Sequence, residues 1–326
     1  MIRIKIFLFL FICSVSSPVY GYTLPDSSSS WRCANPSLNN RYRPSIDDGT
    51  RWTCTSDVKP GRLGLMVGAL LISDAIAFKK LSDFWYKTET STFHFHNGGH
   101  DIRQYKQMDK ISHMVNGYWI SRFTSKFYRW GGFSAKSSIW LGSLTSFLWF
   151  LQIEVTDGFF KAWGFSYYDF IMNVAGCGYA ALQQFYPYPF KGITFKMSYT
   201  PSNAYKKDLY STVSKSWVDD YEGFTFWLAI NIYDVLPKNW RHSYPGWLAP
   251  WGIAIGHGVQ DIARNVIGGR REIFIGLDFD LTKIPTGKSG FLKFMKDELN
   301  TIRLPLPAVC VSPSTVWFGF YFSQDL

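Results

Sequence analysis

The sequence predicts an α+β fold: an N-terminal helical bundle of about four helices, followed by a C-terminal antiparallel β-sheet or a small membrane-associated β-barrel. A change of rhythm predicts it. From Arg62 to about Gln184 apolar residues recur three and four apart, whereas after Pro189 they alternate with polar ones two apart. A further observation is the aromatic content of 19%, which exceeds what a core needs and suits rings at a membrane–water interface.

Residues 1–21 read as a secretory signal peptide. Arg3 and Lys5 form the charged start, Ile4 to Val15 the apolar run, and Val19, Tyr20 and Gly21 the cleavage site. The run is too short to span a bilayer, and Ile12 before Cys13 does not make a lipoprotein signal. Residues 22–61 are rich in turn formers and lack any period. There Cys33 and Cys54 are expected to form a disulfide that staples a segment without a core of its own. Cys177 and Cys310 sit in apolar contexts and are expected to be buried thiols.

Residues 62–186 form the expected helical domain. Its first helix runs from Leu63 to Lys87 and is broken by the stretch TSTFHFHNGGH; the second runs from Ile102 to Arg129. A third, from Ala135, contains 17 uncharged residues between Ser137 and Ile153, which suits either a membrane span or a helix buried on all sides. The fourth extends from Ser166 to Gln184, with the Ser166 hydroxyl as its N-cap. Residues 187–326 form the β domain. In its first strand Ile193, Phe195, Met197 and Tyr199 face one way, and Thr194, Lys196, Ser198 and Thr200 the other. Pro305 and Pro307 restrict the segment before Val309 to a sheet edge or a bulge.

Three of the helices carry polar residues at helical spacing. The second bears Asp109, His113 and Asn116, the third Glu154 and Asp157, and the fourth Ser166, Asp169 and Asn173. Should these faces converge, the carboxylates cannot all ionise in a dry site; they must be protonated, paired with His113 or Lys110, or bound to a cation. Such a set suits a general acid–base site or a divalent-metal site built from Asp109, His113, Glu154, Asp157 and Asp169. It also suits a buried polar network that only specifies how the helices pack. His94, His96 and His100 form a second candidate for a transition metal. Gly176 and Gly178 offer room for a neighbouring helix to approach. Arg122, Lys126 and Arg129 form a basic stripe beside aromatic rings, which suits either a lipid headgroup surface or a solvated helix face.

The order DKISH, then ExxDG, then WGFSYYDFIMNVAG resembles the uncharacterised periplasmic YfiM-like family, in its longer Bacteroidetes-type members. It is more remotely similar to the VanZ-like family. Asp109, Lys110, His113, Glu154, Asp157, Ser166, Asp169, Asn173 and Gly176 carry this likeness, over roughly residues 105 to 180. The resemblance implies a bacterial envelope protein and a residue set, without a reaction.

Loss of the signal leaves a charge of about +8, which favours anionic lipid headgroups. No nucleic-acid motif is present, and neither a nucleophile elbow, a P-loop nor a dinucleotide fingerprint occurs. The expected location is the outer membrane or its periplasmic face, with outer-membrane lipid and other outer-membrane proteins as partners. Two functions fit: an accessory subunit of an outer-membrane assembly, or a hydrolase or transferase acting on an envelope lipid or glycan.

Overall fold

The computed structural model describes residues 58–210, 216–286, 290–314 and 316–318. The signal peptide and the Cys33–Cys54 pair lie outside the described residues. Helix α1 (Pro60–Phe84) starts with its proline in the first turn, where the missing N–H has no helical partner to lose. Helix α2 (Met108–Gly131) begins six residues later than the apolar spacing suggested. The reason is local: Tyr105, Lys106 and Gln107 all have positive φ, which no right-handed helix passes through. Gly132, with φ of 104°, ends α2, and Phe133 N–H closes the turn onto Tyr128. Helices α3 (Ala135–Asp157) and α4 (Tyr167–Phe185) follow. As expected, the Ser166 hydroxyl accepts from the Asp169 N–H at 3.0 Å and caps α4.

Helix α2 lies at the centre of the bundle. Its contacts to α3 and α4 are made by small residues, so the backbones approach closely. Thr124 donates to the Gly142 carbonyl at 3.0 Å, and Ser146 donates to the Gly117 carbonyl at 3.1 Å. A methyl group on Gly176 would collide with the Met114 backbone, whereas Gly178 meets nothing within 4 Å. Of the two glycines, only Gly176 serves a close helix approach. Cys177 and Cys310 are free and buried.

Strands β1 (Ile193–Tyr199), β2 (Phe224–Asn231), β3 (Trp251–Gln260) and β4 (Arg270–Phe279) form an antiparallel meander. Helix α5 (Gly290–Leu299) intervenes before β5 (Ala308–Ser312) and β6 (Val316–Phe318) complete the linear order. After α5 the chain touches the free edge of β1, where Met197 N–H donates to Thr301 and Arg303 N–H donates to Met197. It then crosses through Pro305 and Pro307 and pairs with β4 from Ala308 onward. Pro305 thus falls on the crossing, and Pro307 stands at the start of the pairing, where its carbonyl accepts from the Leu277 N–H at 3.0 Å. Among the described residues the order is that of a curled sheet, and no strand pairing closes it into a barrel.

The two faces of this sheet are unusual in content. The enclosed face holds Trp227, Phe274, Ala254, Ala229 and Cys310. It also holds Lys196, Asp278 and Arg303, each at most 3% exposed. Gly256 lies flat under the Trp227 ring, where a Cβ would come within 2.7 Å of it. On the opposite face α2 covers Phe224 and Phe226 near one end. The rest of that face presents Ile253 and Ile255 opposite Leu277 and Ile275, all 45–47% exposed. Helices α1 and α3 are long and apolar enough to cross a membrane by length and composition. Helix α3 is a core helix with Ile139, Ser143 and Ser146 buried, while α1 presents Leu65, Ile72 and Ile76 outward.

Candidate functional site

The polar faces of α2, α3 and α4 meet. Asp109, His113, Glu154, Asp157, Ser166 and Asp169 all line one cavity of about 480 Å³, and Asn173 Oδ1 accepts from His113 Nδ1 at 3.0 Å. Asn116 lines the same cavity. The end of α1 closes one side, since the Tyr86 hydroxyl donates to Asp157 at 2.6 Å and the Trp85 indole donates to Asp219 at 3.0 Å. Tyr221, from the loop before β2, donates to Asp109 at 2.8 Å and joins the sheet to the site.

Lys110 is the hub. Its ammonium donates to Asp109 at 2.9 Å, to Asp169 at 2.8 Å and to Asp101, and its side chain is only 3% exposed. Three donors on one ammonium meet three carboxylates, which is all that a lysine can satisfy. Burial disfavours its charge, but Asp109 and Asp169 outweigh this and hold it well above the ordinary lysine range. Burial likewise pushes Asp109 up, yet Lys110 and His113 hold it down at about 2. Ser166 completes the shell by donating to the second oxygen of Asp101 at 2.5 Å.

His113 lies beside this hub, 3.6 Å from Asp109, 3.6 Å from Glu154 and 4.0 Å from Asp169. Burial works against its charge, but the three carboxylates raise it to about 9, so it is an imidazolium at neutral pH. Two cations still cannot neutralise Asp101, Asp109, Glu154, Asp157 and Asp169, and protons make up the difference. Burial raises Glu154 well above the carboxylate range, with Asp169 and Asp157 adding to it against the pull of His113. Burial also brings Asp157 to about 7, against the pull of Tyr86 and His113. The cavity therefore holds a carboxyl raised to about 7 next to an imidazolium raised to about 9.

Asp109, His113 and Asp169 place ligand atoms within 4.8 Å of one another, a spacing that suits a metal ion. Lys110 already lies on Asp109 and Asp169, so a dication there would meet an ammonium of like charge. Of the histidine triplet, His96 lines the cavity; His94 bonds to Ser91, and His100 bonds to Gln104. The basic stripe is half-buried and bonds within the protein. Arg122 donates to Tyr118, Lys126 to Glu298, and Arg129 to the Phe133 carbonyl. Asp101, Asp219 and Tyr221 were not legible as site residues, because they come from single-turn helices between the longer elements; Tyr86 falls within the expected first helix, which ends earlier, at Phe84.

The fold and the site together define an α+β protein with a buried, proton-holding acidic cavity in its helical half. Residues 100–185 match the model of a family described as "Predicted periplasmic lipoprotein (DUF2279)", a stretch that contains Asp109, His113, Glu154, Asp157, Ser166, Asp169 and Asn173. The match supports a periplasmic or envelope location for the chain. No curated protein and no solved structure matches it.

Proposed function

We propose that this protein works at the lipid surface of the bacterial envelope, on the outer membrane, and that its helical cavity is a general acid–base site for an envelope lipid or glycan. The observation that carries the reading is the pairing of the His113 imidazolium with a carboxyl, Asp157, poised at about 7 across a cavity large enough for a ligand. In this reading His113 stabilises developing negative charge, Asp157 and Glu154 exchange protons, and Lys110 holds Asp109, Asp101 and Asp169 in place. The outward ladder of Ile253, Ile255, Ile275 and Leu277, with the exposed side of α1, rests against lipid. The likeness of the motif order to YfiM-like and VanZ-like proteins supports an envelope setting.

One observation favours a second reading, an accessory protein whose polar network only locks helices. The hydrogen bonds of Lys110 are fully used within the protein. A lock needs no cavity beside it, which is why the acid–base reading stands first. Replacement of His113 by Gln and of Asp157 by Asn tests it. Both variants are expected to stay folded and correctly located by circular dichroism and fractionation, yet to lose the envelope function in a deletion strain. Full function in folded H113Q and D157N would leave the lock as the better account. Carbonate extraction should fail to release the wild-type chain from envelopes; clean release refutes the lipid contact.

A further inference from the structure

A second cavity adjoins the first. It holds about 340 Å³ between α1, α2 and α3, and its walls are almost wholly apolar, among them Leu70, Leu71, Leu144 and Leu148. Of its few polar groups, the Tyr128 hydroxyl and Thr145 bond to each other at 3.0 Å and Thr124 bonds to Gly142, while Ser73 and Asp74 of α1 also line it. Ala77, Ile120 and Trp149 line both cavities, so the two share a wall. At the far, polar end, Glu154 Oε1 and Asp169 Oδ1 are buried without a hydrogen-bond partner, on residues 2% and 6% exposed. Both face His113 only at 3.6 and 4.0 Å, and Glu154 holds a proton, so each has hydrogen-bonding capacity left for a ligand with polar groups.

We propose that the two cavities open into each other past Trp149 and bind one amphiphile, its hydrocarbon chain in the groove beneath α1 and a hydroxyl- or ammonium-bearing head at Glu154 and Asp169. This rests on the acid–base reading and names its substrate class. The surplus of carboxylates selects the head: a phosphate or carboxylate head would face Asp109 and Asp169, with Lys110 already committed to them. The groove selects the chain, because an apolar channel of this size gains from each methylene it takes out of water. Helix α1 is mostly exposed and apolar on its outer side, so the groove lies beneath a surface that itself suits lipid.

The test uses alkyl glucosides of six to twelve carbons and dodecyl phosphate, each below its micellar concentration, with calorimetry on the full-length protein. Dodecyl glucoside is expected to saturate at one per chain, with affinity rising roughly fourfold per added methylene. Dodecyl phosphate is expected to bind at least tenfold more weakly. Leu144→Trp and, independently, Leu70→Trp fill the groove and should abolish the chain-length dependence, whereas Ile275→Ser on the outer sheet should leave it intact. Folding of each variant is checked by its melting transition. Affinity that ignores chain length, indifference to both tryptophans, or phosphate binding as tightly as glucoside each overturns the proposal. So does a dimer that Leu144→Trp dissolves without any glucoside bound, because a second copy then fills the groove. Glucoside binding as expected, with envelope function intact in H113Q and D157N, would leave this inference standing and sink the acid–base reading. Function lost in those variants with no glucoside bound would do the reverse.

Discussion

Two buried lysines divide the molecule. Lys196, inside the curled sheet, faces one carboxylate, Asp278 at 2.8 Å, and spends its other donors on the Phe279 carbonyl and Asn300. Its neighbour Arg303 stacks 3.9 Å over Trp227 and donates to the Leu277 carbonyl. Charge is matched there and space is filled. Lys110, in the bundle, faces three carboxylates, has two more beyond His113, and lies beside a 480 Å³ cavity. The same residue type thus closes one region and leaves the other short of positive charge and open to a ligand. A balanced pair locks structure, whereas a deliberate imbalance stores protons.

The comparison can be broken by removing each lysine in turn. Lys110→Met and Lys196→Met should each cost about 3–5 kcal/mol, because each strands buried carboxylate charge. Urea unfolding measures this. The difference should appear in the double variants: Lys196→Leu with Asp278→Leu is expected to return to within about 1–2 kcal/mol of wild type, since a matched pair can be replaced by apolar groups. Lys110→Met with Asp169→Asn should stay well below it, because Asp101 and Asp109 remain uncompensated. Equal recovery in both regions would erase the distinction.

A smaller effect is expected at the helix crossing. Gly176→Ala should destabilise by roughly 1–3 kcal/mol, as the new methyl group forces α4 away from the Met114 backbone. Gly178→Ala, with open space around it, should be neutral in the same unfolding experiment.

The proton store sharpens the comparison through pH. Asp157 is raised in the folded state to about 7, so its contribution is present below the ordinary carboxylate range and is lost as pH rises towards 7. His113 is raised to about 9, so its contribution is present below about 6.5 and is lost between there and 9. Asp109, lowered to about 2, stabilises above the carboxylate range and loses that contribution only as pH falls towards 2. Melting temperature should therefore fall steadily from pH 5 to 9. Asp157→Asn should flatten the lower part of that slope and His113→Gln the upper part. Glu154, also raised, should keep part of the slope in the Asp157→Asn, His113→Gln double variant, and a slope no shallower there than in wild type would refute the assignment.

The smallest effect concerns the outer face. Ile255→Ser and Ile275→Ser should change stability by no more than about 0.5 kcal/mol, because both side chains are nearly half exposed. Their effect should be seen instead as weaker flotation with anionic lipid vesicles.

Much of this architecture was legible because it depends on local spacing. The start of the β half at Ile193, the cap at Ser166 and the helical faces of Asp109 with His113 and of Asp169 with Asn173 follow from periods of 3.6 and 2. The start of α2 was not legible, since three consecutive positive φ angles at ordinary residues leave no pattern in composition. Nor was the hub: Lys110 was one candidate partner among others, and Asp101 lies in a short turn.

What the sequence by itself determined is the set of polar faces and the alternation of the strands, because side-chain direction follows directly from backbone period. Only the tertiary structure decided what those faces do. It chose Gly176 over Gly178, turned Lys196 and Asp278 inward, and left isoleucines on the outside of the sheet. It also placed three carboxylates on Lys110 and left Asp157 to hold a proton. Charge and burial are properties of neighbours distant in the chain, and a residue's state of ionisation exists only once those neighbours have arrived.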